Sequence, residues 1–309
     1  MEIRVINVSY DDLNILITGH RGYLGSVLLS ELKKLNSSVR EFSGDVGSIE
    51  DWYENIDNID IIFHLAAIEY SATDNPYRDL DVNGKSVLHM LEACKSKKVY
   101  PRVVFASSSN IFGKSDSLPV SESHKDTPAS IWSAHKLLSE HYLSIYSHSL
   151  GITASCLRLS NVYGKSSTPS LTRRMSLNKM ISMAVDKSSL KLFNNSICIR
   201  DWVYIDDVIS AFLLAGKIND KSFNSFLIGS ESCNTISQTA SIIVEKIRDL
   251  YERDVQVEDV KDVKLSQMAM RNYFPDCSSF KNKTGWSPRH DIESGIELTV
   301  RYFNGLRDV

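Results

Sequence analysis

Long apolar runs are absent from this sequence of 309 residues, and none approaches the roughly 20 apolar residues that a membrane-spanning helix needs. A strong excess of one charge is also absent, since 35 lysines and arginines are balanced by 38 aspartates and glutamates. That balance gives no general electrostatic reason to expect nucleic acid or an anionic membrane as a partner. The first residues lack the basic stretch and apolar block of a secretory signal. We therefore expect a cytoplasmic protein that binds neither nucleic acid nor membrane.

Cysteine is scarce, with five residues scattered along the chain and no Cys-x-x-Cys pair. An odd number of widely spaced cysteines argues against a disulfide framework and against a metal site. We expect buried free thiols that act as small apolar side chains, and we expect no bound metal.

The sequence does contain a regular alternation of short apolar strands and amphipathic helices. A first apolar run over residues 13–17 precedes leucines and valines that recur at helical spacing from Leu24 to Leu35. Later strands are predicted at Ile59–Phe63, Val103–Phe105 and Ile152–Leu159. Buried strands separated by helices require right-handed crossovers and a parallel sheet that is covered on both faces. The sequence therefore predicts an α/β fold of the Rossmann type, a doubly wound parallel sheet with a smaller C-terminal substrate-binding lobe.

The alternation weakens after Tyr163-Gly164, where residues 165–170 are polar and rich in turn-forming side chains. We expect residues 10–165 to form the dinucleotide-binding Rossmann domain, with segments near residues 197–228 returning to it. Residues 166–309 would then form mainly the substrate-binding lobe.

Three glycines separate the first predicted strand from the first predicted helix, in the order Gly19-x-x-Gly22-x-x-Gly25. Glycine lets the backbone approach a pyrophosphate, while the N-terminus of the following helix offers free N–H groups and the positive end of its dipole. Three glycines could also form only a tight structural turn, but their place between strand and helix favours a dinucleotide site. The predicted cofactor ligands of this turn are Gly19, Arg21, Gly22, Tyr23, Leu24 and Gly25.

The end of the second predicted strand, residues 38–43, decides between NAD and NADP. An acidic side chain there binds the ribose hydroxyls of NAD, whereas arginine accommodates the extra phosphate of NADP. Ser43 holds the predicted terminal position, and Arg21 and Arg40 could both reach a 2′-phosphate. Glu41 is the counter-candidate, although strand alternation places it on the opposite face from Arg40. We therefore predict NADP as the cofactor, with NAD as the alternative.

A series of short motifs follows in a fixed order along the chain. Besides the glycine turn they are Gly44-Asp45-Val46, His64-Leu65-Ala66-Ala67, Asp81-Val82-Asn83-Gly84 and the segments 107–113, 157–164, 200–208 and 284–288. In this order they resemble the extended short-chain dehydrogenase/reductases, also called the nucleotide-sugar epimerase/dehydratase family, from Ile15 to about Phe303. The Gly-His-Arg-Gly form of the turn is also similar to that of GDP-fucose synthases, which use NADPH.

The resemblance implies roles for several of these residues. Asp45 and Val46 would line the adenine pocket, and Leu65, Ala66 and Ala67 would pass along the cofactor. Asn161 would lie near the sugar nucleotide, and Arg200 and Arg271 would bind its diphosphate. Two planar guanidinium forks suit a pyrophosphate, although each arginine could instead form an ordinary surface ion pair.

The family's catalytic Tyr-x-x-x-Lys motif is incomplete in this chain. Lys136 is present and is expected to bind the nicotinamide ribose, but Trp132 stands where the tyrosine belongs. In the family the tyrosine hydroxyl relays a proton while hydride moves. An indole N–H can donate a hydrogen bond but cannot exchange a proton near neutral pH. The predicted catalytic set is therefore Ser108, Lys136 and Trp132, with Ser108 and Ser109 also in contact with the substrate.

Three accounts of Trp132 stay open. Another group could carry the proton, the reaction could differ from the family's, or the chain could bind its ligands without turning them over. The candidate proton carriers are His135, Tyr163, Tyr70 and a water held by Ser108. His135 is expected to be a solvent-facing helix residue, because one step along a helix turns it by about 100° from Lys136.

The resemblance implies an NAD(P)-dependent enzyme that reduces or epimerises a nucleoside-diphosphate sugar for surface polysaccharide. The alternative is a catalytically impaired cofactor- and sugar-nucleotide-binding protein, acting as sensor or scaffold. A 4,6-dehydratase is disfavoured, because Ser109-Asn110 replaces the Asp-Glu pair of dehydratases. Family members commonly form a homodimer through a four-helix bundle, here expected from helices near Val82–Ser96 and Ala134–Ser149.

Overall fold

The structure is a computed structural model that describes residues 9–68, 75–115, 117–261 and 263–306. Its strands are β1 (Asn14–Thr18), β2 (Ser38–Glu41), β3 (Ile61–His64), β4 (Arg102–Ser108), β5 (Ala154–Leu159), β6 (Asn161–Tyr163), β7 (Ser189–Leu192), β8 (Ile199–Arg200), β9 (Trp202–Tyr204), β10 (Phe223–Ile228), β11 (Asn234–Thr235) and β12 (Gln256–Asp259).

The α-helices are α1 (Tyr23–Leu32), α2 (Ile49–Asn55), α3 (Pro76–Leu80), α4 (Ser86–Lys97), α5 (Ile131–Leu150), α6 (Pro169–Thr172), α7 (Ser176–Lys187), α8 (Ile205–Ala215), α9 (Ile236–Tyr251), α10 (Ser278–Thr284) and α11 (Ile292–Gly305). A π-helical turn, Asp81–Lys85, joins α3 to α4. Short 3₁₀ turns cover Ser109–Phe112 and Met268–Met270.

The central sheet has six strands in the order β10-β5-β4-β3-β1-β2. β1 pairs in parallel with β2 on one side and with β3 on the other, and the β3–β4 and β4–β5 pairs are parallel too. β3 is buried along its whole length, as expected for a strand covered on both faces. The order in which strands are added reverses at β1, so a ligand crevice is expected at the carboxyl ends of β1 and β3. The prediction of a Rossmann-type α/β fold is confirmed.

Apolar side chains from the sheet and its covering helices form the core beside this sheet. Leu16 of β1 and Phe105 of β4 belong to the same buried cluster as Trp52 of α2. All five cysteines are free, and all except Cys233 are buried. The prediction of buried thiols is therefore correct for every cysteine but Cys233.

The chain divides into two compact units. The first comprises the chain up to Phe112, Lys125–Leu159 and Ile209–Phe226, and the second comprises Gly113–His124, Ser160–Val208 and the chain from Leu227. The segment that returns to the first unit is thus shorter than the predicted 197–228. Residues 113–124 belong to the second unit, because Val120 forms a parallel β-bridge with Pro275 and its N–H donates to Phe274 O.

Helix α5 carries Trp132 and Lys136 in its first two turns. It begins after Ser130, whose hydroxyl accepts from the Ser133 N–H while the Ser130 N–H donates to Ser133 Oγ, both at 3.1 Å. It ends at Gly151, which adopts the left-handed conformation with φ at 67°. These caps fix the position of the helix along the sequence. Trp132 and Lys136, four residues apart, therefore lie one above the other on its surface.

The second unit is built around α7, α9 and α11, each with an apolar face that packs against the others. Small sheets accompany them, in which β6 pairs with β9, β7 with β12, and β8 with β11. None of the helices in the described part of the chain is long and apolar enough to cross a membrane.

Candidate active site

A cavity of about 740 Å³ lies in the first unit, where β1, β2 and β3 end. Its lining combines the glycine turn with the segments that follow β2 and β3. The lining residues are Gly19, His20, Arg21, Gly22, Glu41, Phe42, Ser43, Gly44, Asp45, Val46, Leu65, Ala66, Ala67, Ile68, Arg78 and Val82. Most predicted cofactor residues are thus brought together around one cavity, which is a geometry that suits an extended dinucleotide.

The glycine turn packs closely against the segment after β3. Gly19 has φ at +68°, and a methyl group there would lie 2.6 Å from the backbone N of Ala66. A methyl group at Gly25 would overlap the carbonyl of Gly19. Tyr23 and Leu24 begin α1, whose N-cap Gly22 makes no side-chain capping bond. These contacts leave room only for glycine and place an uncapped helix N-terminus, which suits an anion, next to the turn.

Glu41 ends β2 and lines the cavity. Its carboxylate pairs with Lys33 at 2.8 Å and with His20 at 3.5 Å. The hydrogen bond from Lys33 holds the pKa of this carboxyl below its usual value. Glu41 is therefore an ionised acceptor at the place where a dinucleotide fold binds ribose hydroxyls.

Arg40 is not among the residues that line the cavity, and its contact with the cofactor stays a prediction. Its guanidinium donates to Asn55 O at 3.2 Å and to Asp57 O at 3.3 Å. Here the lining begins with Glu41, the last residue of β2, and continues with Phe42 and Ser43. Arg21 is the predicted phosphate ligand that stays in the lining.

Asp45 and Val46, predicted to line the adenine pocket, are held by neighbouring side chains. The Asp45 carboxylate pairs with Arg78 at 2.8 Å, and the hydrogen bond from Arg78 lowers the pKa of that carboxyl. Val46 O accepts from Trp52 Nε1 at 2.8 Å. Sequence reasoning missed Arg78, because its partner lies 33 residues earlier (78 minus 45) and no periodicity links them.

A chain of hydrogen bonds runs behind the cavity wall. Thr18 Oγ1 accepts from the N–H groups of residues 65 and 66, each at 3.1 Å. The Thr18 hydroxyl can therefore donate its own hydrogen to Nδ1 of His64, which lies 2.9 Å away. Nε2 of His64 then carries the ring proton and donates to Ser86 Oγ at 3.1 Å, and Ser86 donates to Val82 O at 2.6 Å. Burial lowers the pKa of His64 to about 3, so its ring is neutral with the proton on Nε2.

Lys136 is fully buried beside two aromatic rings. Its Nζ donates to Ala106 O at 3.0 Å and lies 4.7 Å from the Phe105 ring centroid and 5.8 Å from that of Trp132. Burial lowers the pKa of Lys136 to about 8. Ser108 lies at the end of β4 in the same unit, and its hydroxyl accepts from the Asn110 N–H at 3.2 Å. The buried Ser109 follows it.

Trp132 and the candidate proton carriers His135 and Tyr163 are each held by contacts within their own unit. The indole N–H of Trp132 donates to Ile68 O at 2.7 Å. His135 is not solvent-facing as expected, because Nδ1 lies 2.6 Å from the carboxylate of Asp79 and the side chain is only 15% exposed. Tyr163 is fully buried in the second unit, and burial raises the pKa of its hydroxyl far above the usual value. Tyr70 lies outside the described residues.

Arg200 and Arg271 lie side by side in the second unit. Arg200 donates to the Arg271 carbonyl and to Ala269 O at 2.7 Å, and Arg271 donates to Gly113 O at 3.1 Å. Burial lowers the pKa of Arg271 to about 10, and the charge of Arg200 acts in the same direction. Within the described part of the chain, Arg200 forms hydrogen bonds with backbone carbonyls and no ion pair. Two neighbouring buried guanidiniums are an arrangement that can accept a diphosphate.

Asn161, the third predicted substrate residue of the second unit, begins β6. Its Nδ2 donates to Asp201 O at 3.0 Å. Its predicted contact with a sugar nucleotide stays a prediction, as do those of Ser108 and Ser109 in the first unit.

A model of the NAD dependent epimerase/dehydratase family matches residues 15–229 of the chain. The UDP-glucuronate 4-epimerase 1 of Arabidopsis thaliana is 29% identical over 264 residues, which cover 78% of this chain and 58% of that protein. The UDP-glucuronate 4-epimerase of Thermodesulfobacterium geofontis is 29% identical over 249 residues, which cover 79% of this chain and 72% of that protein. The chain thus spans little more than half the length of the first of these relatives.

A solved structure shows the same fold. The UDP-glucose 4-epimerase of Thermotoga maritima, crystallised with UDP-glucose, superposes with a TM-score of 0.83 at 24% identity, covering 96% of this chain and 100% of that one. The family match, which covers well over half of the residues, agrees with the glycine turn, the strand order and the lining of the cavity. The chain therefore belongs to the NAD dependent epimerase/dehydratase family.

Proposed function

We propose that this chain is an NAD-dependent enzyme that epimerises the sugar of a nucleoside-diphosphate sugar. The observation that carries the proposal is the cavity that joins the glycine turn, Asp45-Val46 and Leu65–Ala67 in one lining. The family match and two relatives named UDP-glucuronate 4-epimerase support it. Keto-reduction is the neighbouring reaction, since it uses the same hydride transfer without the return step.

The substrate we propose is a UDP-sugar, with its diphosphate on Arg200 and Arg271. Each planar guanidinium binds phosphate oxygens in pairs, and the two arginines are buried beside each other in the second unit. Ser108, Ser109 and Asn161 would contact the sugar, as the family resemblance implies. The same resemblance supports a use of the product in surface polysaccharide.

The cofactor we propose is NAD rather than NADP. The ionised carboxylate of Glu41 would accept hydrogen bonds from ribose hydroxyls and would repel a 2′-phosphate. Arg21 remains the cation that favours NADP, but Arg40, which supported it, lies outside the cavity lining. With Glu41 in the lining and Arg40 outside it, the expected ribose site is less favourable to a 2′-phosphate than the sequence alone indicates.

NAD, when bound, would supply the hydride acceptor. The chain itself must then move a proton on the sugar hydroxyl, and Trp132 cannot do so because indole does not titrate near neutral pH. We propose that Lys136 carries this proton, because its Nζ lies 5.8 Å from the centroid of the ring at the family's tyrosine position and its lowered pKa, about 8, lets both forms exist near neutral pH. His135 is less suited, since its ring is committed to Asp79.

Calorimetric titration with NAD, NADP and UDP-glucuronate, followed by NMR of the sugar products, tests the proposal. We expect NAD to bind and the two 4-epimers to interconvert. Lys136→Met is expected to abolish turnover, and the wild-type rate should rise with pH toward about 8 as the amine loses its proton. Failure to bind any nicotinamide dinucleotide would overturn the proposal.

The second candidate is a protein that binds cofactor and sugar nucleotide without turnover. The observation that favours it is the indole N–H of Trp132, which donates to the Ile68 carbonyl at 2.7 Å and does not titrate near neutral pH. Binding of both ligands without conversion in either direction, also after Trp132→Tyr, would select this candidate.

We also propose a homodimer through α4 and α5. Ile131, Leu138 and Ile145 recur every seven residues on α5, and Ile131 and Ile145 are 57% and 60% exposed. Exposed apolar residues such as Ile131 and Ile145 on one face of a helix are typical of a helix that packs against a partner. Ile145→Glu is expected to yield a monomer in analytical ultracentrifugation, whereas Ile197→Glu, at an apolar residue that is 78% exposed in the second unit, leaves the mass unchanged.

A further inference from the structure

We infer that Trp132 is a positioning residue of the cofactor cavity, which holds the backbone of Ile68 through its indole N–H. The inference deepens the proposed function and rests on it in one respect, namely that this cavity binds a nicotinamide dinucleotide. It assigns to the residue at the family's tyrosine position a task that requires no proton transfer.

The segment that Trp132 holds belongs to no helix or strand. Residues 65–68 follow β3 and line the cavity together. A backbone without regular secondary structure must find its hydrogen-bond partners among side chains or solvent. Here Thr18 Oγ1 accepts from the N–H groups of residues 65 and 66, so the first half of the segment is fixed from β1.

Ile68 is fixed by two side chains from other elements. Its N–H donates to Asn83 Oδ1 at 3.1 Å, and its carbonyl accepts from Asn83 Nδ2 at 3.1 Å. The same carbonyl accepts from Trp132 Nε1 at 2.7 Å, the shortest of these bonds. A carbonyl oxygen has two lone pairs, so these two donors saturate it.

The two donors are themselves held. The Asn83 carbonyl accepts from Ser139 Oγ at 2.7 Å, which ties the π-helical turn to α5. Trp132 sits in the first turn of the same helix, fixed by the Ser130 capping box. Ile68 is thus held by side chains from both elements, and its place relative to the glycine turn is set before any ligand arrives. Such pre-organisation raises affinity by removing an ordering cost.

The indole suits this task because it is a donor only and keeps its proton at every accessible pH. A phenol can also accept, and its donor atom lies on the long axis of a single ring rather than on the edge of a double one. The tie to Ile68 therefore depends on tryptophan chemistry and is independent of pH.

Trp132→Phe tests the inference, with Trp286→Phe as a matched control. Trp286 Nε1 likewise donates to a backbone carbonyl, that of Asp207 at 3.2 Å, but in the second unit. Calorimetry with NAD and hydrogen–deuterium exchange of the peptide over residues 64–68 are measured for both variants. We expect Trp132→Phe to weaken NAD by about 5- to 10-fold and to speed exchange at residue 68. Trp286→Phe changes both by less than about twofold.

Two results would overturn the inference. One is a Trp132→Phe protein that binds NAD as tightly as wild type and exchanges equally slowly at residue 68. The other is an unchanged NAD affinity with turnover lost at saturating NAD, which would make Trp132 part of the chemical step. If wild type binds no nicotinamide dinucleotide, the proposed function fails, and the exchange measurement alone decides whether the tie exists.

Discussion

The two compact units differ in their buried polar groups, which are neutral behind the cavity of the first unit and charged at the arginine pair of the second. Behind the cavity of the first unit, Thr18, His64 and Ser86 form a chain of neutral groups in which each hydrogen has an acceptor. In the second unit Arg200 and Arg271 place two guanidiniums side by side against carbonyls. The first arrangement is complete without a ligand, and the second is the one that we propose as the diphosphate site. Changes in the first should therefore alter stability and shape, and changes in the second should alter anion binding.

The largest effect is expected at the glycine turn of the first unit. Gly19→Ala places a methyl group 2.6 Å from Ala66 N, whereas Gly151→Ala has nothing within 4 Å at nearly the same φ, +67° against +68°. Left-handed strain of about 1–2 kcal/mol is common to both. We expect Gly19→Ala to lose at least about 3 kcal/mol of unfolding free energy and its NAD affinity. If urea denaturation gives the two variants equal losses of unfolding free energy, the contact between Gly19 and Ala66 does not constrain the turn.

The second unit gives the next largest effect. Arg200→Gln removes one fork of the arginine pair and is expected to weaken UDP binding by about 10- to 100-fold, the value of a charged hydrogen bond. NAD affinity should stay unchanged in calorimetry. Arg301→Gln, at an exposed arginine that pairs with Glu297, is the control. Unchanged UDP affinity in Arg200→Gln would remove the proposed diphosphate site.

A smaller effect is expected at the ribose end of the first unit. Glu41→Gln removes the carboxylate from the lining and should raise the NADP-to-NAD affinity ratio by about tenfold, from roughly 1.4 kcal/mol of repulsion. Arg40→Gln changes a side chain outside the lining and should leave the ratio unchanged. The reverse result, measured by calorimetry with both dinucleotides, would restore Arg40 as the phosphate ligand.

The last effect concerns pH and accumulates over about two pH units. His64 has a folded pKa of about 3, below the unfolded value near 6.5, so the unfolded chain binds more protons between these values. Its contribution to stability is complete above about pH 6.5 and is lost as pH falls toward 3, by at most about 1.4 kcal/mol per pH unit. Urea denaturation from pH 7 to 4.5 should show this slope in wild type and His148→Gln, but a shallower one in His64→Gln. Parallel slopes in all three would contradict it.

Sequence reasoning predicted what depends on local spacing. The glycine turn and the segments after β2 and β3 follow from short motifs, and the structure places them around one cavity. The parallel sheet follows from the alternation of apolar strands and helices. Alternation states that neighbours face opposite ways but not which face meets the ligand, and Arg40 is not among the residues that line the cavity. β2 also ends at Glu41 rather than at Ser43.

Long-range side-chain pairs were beyond sequence reasoning. His135 was expected to face solvent, but Asp79 pairs with it from 56 residues away. The bond from Trp132 to Ile68 spans 64 residues. Helical periodicity shows which face of α5 a residue occupies, yet it carries no information about the element that covers that face. Such contacts depend on tertiary packing alone.

The four tryptophans of the chain differ in their surroundings, and this gives the protein an optical property. Trp52, Trp202 and Trp286 are 0%, 4% and 1% exposed, whereas Trp132 is half-buried and bonded to Ile68 of the cavity lining. Indole emission from Trp132 therefore extends furthest to the red, toward the absorption band of a reduced nicotinamide. Because energy transfer falls steeply with distance, quenching of that red component would report directly on whether NADH occupies the cavity that Trp132 helps to build.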